Sequence, residues 1–186
     1  DETTHEIVVP NGTMGDRHTH PEKWNLRLEN RNTGAKIDPR LSVFDQREDV
    51  TIVKLPYFGD EEHEGVIERA IPTITVQTVD GPVKVTTVYD LILANYGIDR
   101  GIGGEVAKAY TDDTPYTPTW QEKITGVKAD IAIATAREFA DNAEKTKGRS
   151  MIIMGGGINH WYHADIIYRT ILNLIMFCGT EGVNGG

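Results

Sequence analysis

The sequence is poor in cysteine and serine, and each shortage excludes a kind of chemistry. Cys178 is the only cysteine among the 186 residues, so this chain alone cannot build a disulfide framework, a zinc knuckle or a cysteine-ligated iron–sulfur cluster. It follows an apolar run, where we expect a buried, unreactive thiol. Ser42 and Ser150 are the only serines, and neither lies in a Gly-x-Ser-x-Gly motif, which argues against a serine nucleophile.

The chain also lacks a long apolar run, a targeting signal and an excess of basic charge. Its longest apolar segment, residues 170–178, contains Asn173 and is too short to cross a bilayer. The formal net charge of −9 argues against nucleic acid as a partner, because neutralising phosphates requires a basic surface. The first residue is not Met and the last residues form a glycine-rich turn, so we expect a piece of a longer protein.

Residues 1–69 are polar and rich in turn signals, and we predict a turn-rich segment or insertion with short strands and little core of its own. Turn signals occur at residues 10–12 and 32–34, and an acidic loop is expected at residues 59–64. Short strands are predicted at residues 6–9, 24–28 and 50–53.

Residues 70–186 have the pattern of an α/β domain, because strand and helix signals alternate there. Alternating apolar and polar residues predict a hairpin of residues 74–78 and 83–87, with its turn at residues 80–81. Thr87 is placed to cap a helix over residues 88–95, and Gly97 lies just past its end. Further helices are predicted from Pro118 onwards and over residues 128–144.

The last third of the chain is predicted to form a helix, a strand, a glycine turn and a second helix. The first helix should bury one stripe, made of Ile131, Ala132, Thr135, Ala136, Phe139, Ala140 and Ala143. Residues 150–154 predict a strand inside a parallel sheet that is covered on both faces. The helix over about residues 160–177 should bury Ile166, Ile167, Ile171, Leu174, Ile175 and Cys178. Ligands gather at the carboxyl ends of such strands, so we expect any chemistry at residues 155–163.

Residues 155–163 combine properties that suit a ligand with a pyrophosphate. Gly155, Gly156 and Gly157 allow the backbone to approach a ligand closely and to adopt positive φ. The start of the following helix offers free N–H groups and a positive partial charge. The polar and aromatic side chains at the mouth of the expected pocket are Asn159, His160, Trp161, Tyr162 and His163.

The same residues also fit plainer interpretations. A strand followed by three glycines is typical of a tight βα junction as well. The segment is not a P-loop, and His160 stands where a dinucleotide fingerprint has its third glycine. His160 and His163 could clasp a metal, but we favour packed or exposed polar roles and predict no metal ligand here. The two aromatic residues between them fit packing and stacking equally well.

Residues 136–143, residues 148–153 and the run Asn-His-Trp-Tyr-His at 159–163 resemble the alpha subunit of respiratory nitrate reductases. This family lies in the molybdopterin oxidoreductase (dimethyl sulfoxide reductase) superfamily. The chain resembles an internal fragment of such a subunit. Further matching stretches are residues 9–12, 23–26, 56–59, 86–91, 94–97, 100–101, 109–110, 116–118, 124–127 and Trp120. Residues 13–22 and 28–50 match least.

The resemblance implies an enzyme fold and a cofactor. It implies part of the molybdopterin-binding α/β core, with an N-terminal β- and turn-rich insertion, in the catalytic subunit of a quinone-type nitrate reductase. Such enzymes reduce nitrate to nitrite in anaerobic respiration at a Mo-bis(molybdopterin guanine dinucleotide) centre. The residues implied to bind the cofactor are Gly155, Gly156, Gly157, Asn159, His160, Trp161 and His163. His160 is implied to lie close to the molybdenum as a catalytic residue.

The resemblance also implies what this piece does not supply. The aspartate ligand of the molybdenum and the motif for a [4Fe-4S] cluster belong to other parts of the family's chain, so we expect this piece alone to be inactive. An iron–sulfur beta subunit and a quinol-oxidising cytochrome b gamma subunit are implied partners, through which the enzyme meets the membrane. Its expected location is the cytoplasmic face of the cell membrane, or the outer face in some archaea.

Two other functions stay open at the level of the sequence. One is a related nitrite oxidoreductase or another anion oxidoreductase of similar architecture. The other is a non-redox nucleotide-binding module, in which the glycine turn at residues 155–157 binds a phosphate.

Overall fold

The computed structural model describes residues 8–11, 27–37, 41–57 and 65–186. The predicted acidic loop at residues 59–64 lies outside these ranges, as do parts of the strands predicted at residues 6–9 and 24–28. The chain divides into two compact units, Asp1–Gln121 and Glu122–Gly186. In the described ranges, no helix is long and apolar enough to cross a membrane.

The first unit contains two antiparallel sheets of three strands each among its described residues. One sheet has the order β1–β2–β3, formed by Val8–Asn11, Arg27–Asn30 and Lys36–Ile37. The other has the order β4–β5–β6, formed by Asp49–Pro56, Val66–Thr78 and Gly81–Val85. A short 3-10 helix, Phe44–Gln46, precedes β4. The strand predicted at residues 50–53 is therefore confirmed as part of β4.

The predicted hairpin is confirmed as β5 and β6, with its turn one residue earlier than expected. Thr78 pairs with Gly81, so the turn residues are Val79 and Asp80, and Gly81 has φ of +112°. β5 begins at Val66, before the hairpin that the alternation indicated, because it first pairs with β4 along residues 66–73. Pro72 interrupts the sequence pattern, but each half of β5 has one partner strand, so its missing N–H is tolerated.

The core of the first unit lies where helix α1, Val88–Asn95, packs against β5. Thr87 caps this helix as predicted, because its Oγ1 accepts a hydrogen bond from the Asp90 N–H. Gly97 follows the helix with φ of +71°, which also agrees with the prediction. The buried apolar side chains of this core are Val43, Ile67, Ala70, Ile71 and Ala94.

Asp90 is buried at the start of α1 and connects it to the segment before β4. Its carboxylate accepts hydrogen bonds from the Ser42 hydroxyl at 2.6 Å, the Val43 N–H at 2.9 Å and the Thr87 hydroxyl at 2.7 Å. Arg100 completes this set with an ion pair at 2.5 Å. Every oxygen of this buried carboxylate is therefore satisfied, as a charged group in a core requires.

Arg69 is a second buried charge, with a different environment. Its side chain is fully buried in β5, and none of its guanidinium nitrogens has a hydrogen-bond partner among the described residues. Burial lowers the pKa of Arg69, while Glu105 and Tyr116 raise it. A Cβ added at Gly97 would lie 2.8 Å from its Nη2, so this glycine makes room for the guanidinium.

The second unit is helical in its assigned secondary structure. Helix α2, Pro118–Thr125, includes the division between the units. It begins at Pro118, as the pair Thr117–Pro118 predicted. Helix α3, Ala129–Thr146, ends with Lys147 in the left-handed conformation and with Gly148. Helices α4, Gly156–Asn159, and α5, Ala164–Phe177, follow.

The strand predicted at residues 150–154 is wrong for the described chain. No strand is assigned there, and the backbone of residues 151–154 makes no hydrogen bond to another backbone group of the described residues. Met151 is 61% exposed and Ile153 is 85% exposed. A strand in a parallel sheet needs neighbouring strands to accept and donate its hydrogen bonds, and none of the described segments supplies one.

The packed faces predicted for the last two long helices are wrong for the same reason. On α3, Ala143 is buried, but Ile131 is 56% exposed. On α5, Ile166 is 53% exposed, and Ile171 and Ile175 are only half-buried. An apolar helix face becomes buried only where another element covers it.

The predicted boundary between residues 69 and 70 falls inside β5. As a division of the parent protein into an insertion, residues 1–69, and an α/β portion, residues 70–186, it stays a prediction.

Candidate functional site

The three glycines at the start of the candidate site lie at and inside helix α4. Gly155 is the N-cap residue with φ of −110°, and Gly156 and Gly157 are in the helix. Glycine allows positive φ, but none of these three residues lies in the left-handed region. A Cβ added at any of the three would meet nothing within 4 Å, so no described residue fills the space beside these glycines.

A turn separates the glycines from the long helix, so the predicted helix start at His160 is wrong. His160 is the C-cap of α4, with φ of −95° and ψ of 1°. His163 has φ of +62° and precedes α5 as its N-cap. A residue in the left-handed conformation cannot continue a right-handed helix. The two histidines consequently lie on either side of a turn, not on one helix face.

The side chains of this turn are exposed. Trp161 is 72% exposed and Tyr162 is 87% exposed, and His160 and His163 also face open space. The rings of Tyr162 and His163 contact each other, with centroids 4.1 Å apart. The structure thus brings the predicted site residues together on one continuous exposed stretch, residues 155–163, which we call the glycine–histidine segment.

Asn159 makes a contact that the sequence does not indicate. The hydroxyl of Tyr168, in the second turn of α5, donates a hydrogen bond to the Oδ1 atom of Asn159. The two residues are nine positions apart, and the contact depends on the turn between α4 and α5. No motif or helical spacing in the sequence would have identified Tyr168.

A small cavity lies beside the segment before the glycines. It has a volume of about 90 Å³, which is far below the several hundred Å³ typical of a cofactor pocket. Its lining residues come from three stretches of the second unit: Ser150, Met151, Ile152, Met154, Ile171, Ile175, Thr180, Glu181, Gly182 and Gly186. This cavity alone is therefore too small to hold a cofactor.

Two residues near the site have structural roles. The Ser150 hydroxyl is buried, donates to the Phe139 carbonyl at 3.1 Å and accepts from the Asn142 amide at 2.8 Å. Cys178 is half-buried, and burial raises the pKa of its thiol, so the reactive thiolate is disfavoured. Within the described ranges, no three His, Cys, Asp or Glu residues are placed to hold a metal ion.

Comparison with known proteins defines the class to which this α/β chain belongs. No family model matches the sequence. Part of the chain, 70 residues or 38% of it, is 46% identical to the perchlorate reductase subunit alpha of Dechloromonas aromatica, of which it covers 7%. The chain is an α/β segment of the molybdopterin oxidoreductase superfamily.

Whole-length matches identify the family within this class. The chain is 48% identical over 186 residues, its entire length, to the nitrate reductase alpha chain of Bacillus subtilis, of which it covers 15%. It is 46% identical over 194 aligned residues, 99% of its length, to the respiratory nitrate reductase 1 alpha chain of Escherichia coli, of which it covers 16%. The chain belongs to the nitrate reductase alpha-chain family, as an internal segment that spans about 15% of the length of these relatives.

Proposed function

We propose that the glycine–histidine segment forms one wall of the molybdenum cofactor pocket in the catalytic subunit of a nitrate reductase. The whole-length relatives are nitrate reductase alpha chains, which supports nitrate as the substrate of the parent subunit. The cavity in the second unit has a volume of only about 90 Å³, which supports a wall and not a complete site.

The observation that carries this proposal is the open space at the three glycines. A glycine in a helix costs about 1 kcal/mol relative to alanine, because it loses more backbone freedom on folding. Neither positive φ nor a close neighbour among the described residues requires glycine at Gly155, Gly156 or Gly157. A ligand that lies directly on the backbone would require it, and a flat, phosphate-containing cofactor is such a ligand.

The other predicted site residues fit the same group. Asn159 offers amide N–H donors, and the imidazoles of His160 and His163 offer hydrogen bonds to ring edges. Trp161 is exposed and offers an aromatic face. The bound molybdenum centre would supply the two-electron chemistry of nitrate reduction. This segment would bind and orient the cofactor, with His160 nearest to the metal.

The wider setting of the parent enzyme is also part of the proposal. The cofactor is expected to be Mo-bis(molybdopterin guanine dinucleotide), with a [4Fe-4S] cluster held by other parts of the subunit. An iron–sulfur beta subunit and a cytochrome b gamma subunit would deliver electrons from quinol. The family name "respiratory" of the Escherichia coli relative supports a membrane-associated complex, which we place on the cytoplasmic face.

The test is Gly157→Ala in the full-length subunit, purified from a host that makes the cofactor. The added methyl group has open space on the described side and favours the helix, so the yield of folded subunit should not fall. If the cofactor lies on this backbone, the methyl group should displace it. We expect the molybdenum and pterin content per subunit to fall at least severalfold, and nitrate reduction to fall with it.

Gly104→Ala is the comparator that separates loss of fold from loss of cofactor. A Cβ at Gly104 would lie 2.6 Å from the Ala70 backbone nitrogen, and φ there is +82°, so this change should lower the yield of folded subunit. Full cofactor content in Gly157→Ala, at normal yield, would refute the proposed pocket wall.

A further inference from the structure

One hydrogen bond links the two helices on either side of the glycine–histidine segment. Asn159 is the last residue of α4, and Tyr168 lies in α5 with a half-buried side chain. The Tyr168 hydroxyl donates to Asn159 Oδ1. The chain between them turns through His163, whose φ of +62° is unusual for a residue with a side chain.

This hydrogen bond leaves the amide nitrogen of Asn159 open to a ligand. An asparagine amide has an oxygen that accepts hydrogen bonds and a nitrogen that donates two. Because the Tyr168 hydroxyl donates to the oxygen, the Nδ2 atom of Asn159 is left to bind another group. No described residue accepts a hydrogen bond from this nitrogen, and the side chain is exposed.

We propose that Tyr168 is a positioning residue that holds the Asn159 amide with its nitrogen toward the cofactor. The nitrogen would then donate to a hydrogen-bond acceptor on a ring of the cofactor. A free asparagine loses side-chain freedom when it binds a ligand, whereas the Tyr168 hydrogen bond restricts the Asn159 side chain before the cofactor arrives. This inference rests on the proposed function, because it assigns a second residue to the same pocket wall.

The test is a double-mutant cycle in the full-length holoenzyme, read by the rate at which cofactor is lost in mild denaturant. Tyr168→Phe keeps the ring and removes the hydroxyl. We expect loss to become about fivefold faster, the fold-change that corresponds to one neutral hydrogen bond of about 1 kcal/mol. Cofactor loss should be faster still in Asn159→Ala. The double variant should match Asn159→Ala, because Tyr168 acts only through Asn159.

A second measurement reports on the cofactor itself. The electron paramagnetic resonance spectrum of the half-reduced molybdenum should shift in Tyr168→Phe toward the spectrum of Asn159→Ala. Tyr116→Phe is the matched control, because it also removes a tyrosine hydrogen bond, from its hydroxyl to the Pro56 carbonyl at 3.2 Å in the other compact unit. It should change neither the rate of cofactor loss nor the spectrum.

The outcomes separate this inference from the proposed function. If Tyr168→Phe behaves as wild type, or if its effect adds in full to that of Asn159→Ala, the positioning role is overturned and the pocket wall stands. If Asn159→Ala itself loses cofactor no faster than wild type, the cofactor-binding role of the segment is overturned as well.

Discussion

At the scale of single residues, Asp90 shows how a short polar sequence fixes the start of a helix. Burial alone would raise the pKa of Asp90, but hydrogen bonds from Ser42, Arg100, Val43 and Thr87 outweigh it and hold the pKa below its usual range. The charged form is therefore the one that stabilises the fold. Thr87 and Asp90 stand at the spacing of a capping box, so the helix start could be predicted, whereas the distant partners could not.

Asp90→Asn should loosen α1 while leaving the side-chain volume unchanged. Replacing the carboxylate weakens hydrogen bonds to a buried charged group, and we expect a local loss of about 2 kcal/mol. In hydrogen exchange of the full-length subunit, the amides of residues 87–97 should exchange roughly thirtyfold faster. Asp49→Asn is the matched control, because Asp49 forms an exposed ion pair with Lys84, and it should have a much smaller effect.

The pH dependence of the same contact follows from the sign of the pKa shift. A carboxyl group whose folded pKa is lowered contributes its full stabilisation above its unfolded pKa, near 3.9. That stabilisation is lost as the pH falls through the lower folded pKa. Protection of α1, corrected for intrinsic exchange, should thus fall below about pH 4 in the wild type. Asp90→Asn should lack this part of the dependence, and equal acid sensitivity in the two proteins would contradict the assignment.

At the scale of elements, the predictions succeeded where the pairing is local. The hairpin of β5 and β6 and the helix α1 are each fixed by residues close in sequence. The first half of β5 escaped prediction because its partner β4 is distant in sequence and because Pro72 breaks the alternation. The strand prediction at residues 150–154 failed for a related reason, since a parallel strand depends on neighbouring strands that the described chain does not contain.

Ile153 gives a test of whether residues 150–154 are covered in the full-length subunit. Its side chain is 85% exposed in this chain, yet the apolar pattern around it is that of a buried strand. In the full-length subunit, Ile153→Asp should place an uncompensated charge in a core, at a cost of about 3–5 kcal/mol. We expect a strong fall in the yield of soluble subunit and faster amide exchange in residues 149–156.

Val79→Asp is the matched control for that substitution. Val79 is fully exposed at the tip of the β5–β6 hairpin, where an aspartate also suits a turn. This variant should leave yield and exchange unchanged. Equal tolerance of both aspartates would show that residues 150–154 lie on the surface of the full-length subunit.

At the scale of the whole molecule, the second unit exposes apolar surface, as expected for a chain that spans only a part of its relatives. The chain spans about 15% of its relatives, and the apolar faces of α3 and α5 are uncovered here. Exposed apolar faces of this size mark contact with another surface, such as the rest of a larger protein. We therefore expect the remainder of the subunit to cover them and to supply the rest of the pocket.

The sequence predicted the position of the candidate site along the chain but not its local geometry. A glycine run after an apolar stretch, followed by Asn159 and His160, indicated where a ligand would bind. The turn at His163 and the contact from Tyr168 could not be predicted, because both depend on how α4 and α5 meet. The sequence indicated that these glycines allow both a close approach to a ligand and positive φ, and the open space beside them is the property that the structure supports.

The measurement that tests the central claim most directly is an experimental structure of the full-length subunit with its cofactor bound. We expect the cofactor to lie against the backbone of Gly155–Gly157, with the Asn159 nitrogen within hydrogen-bonding distance, about 3 Å, of its ring system. Finding this stretch covered by protein, with the cofactor elsewhere, would contradict it.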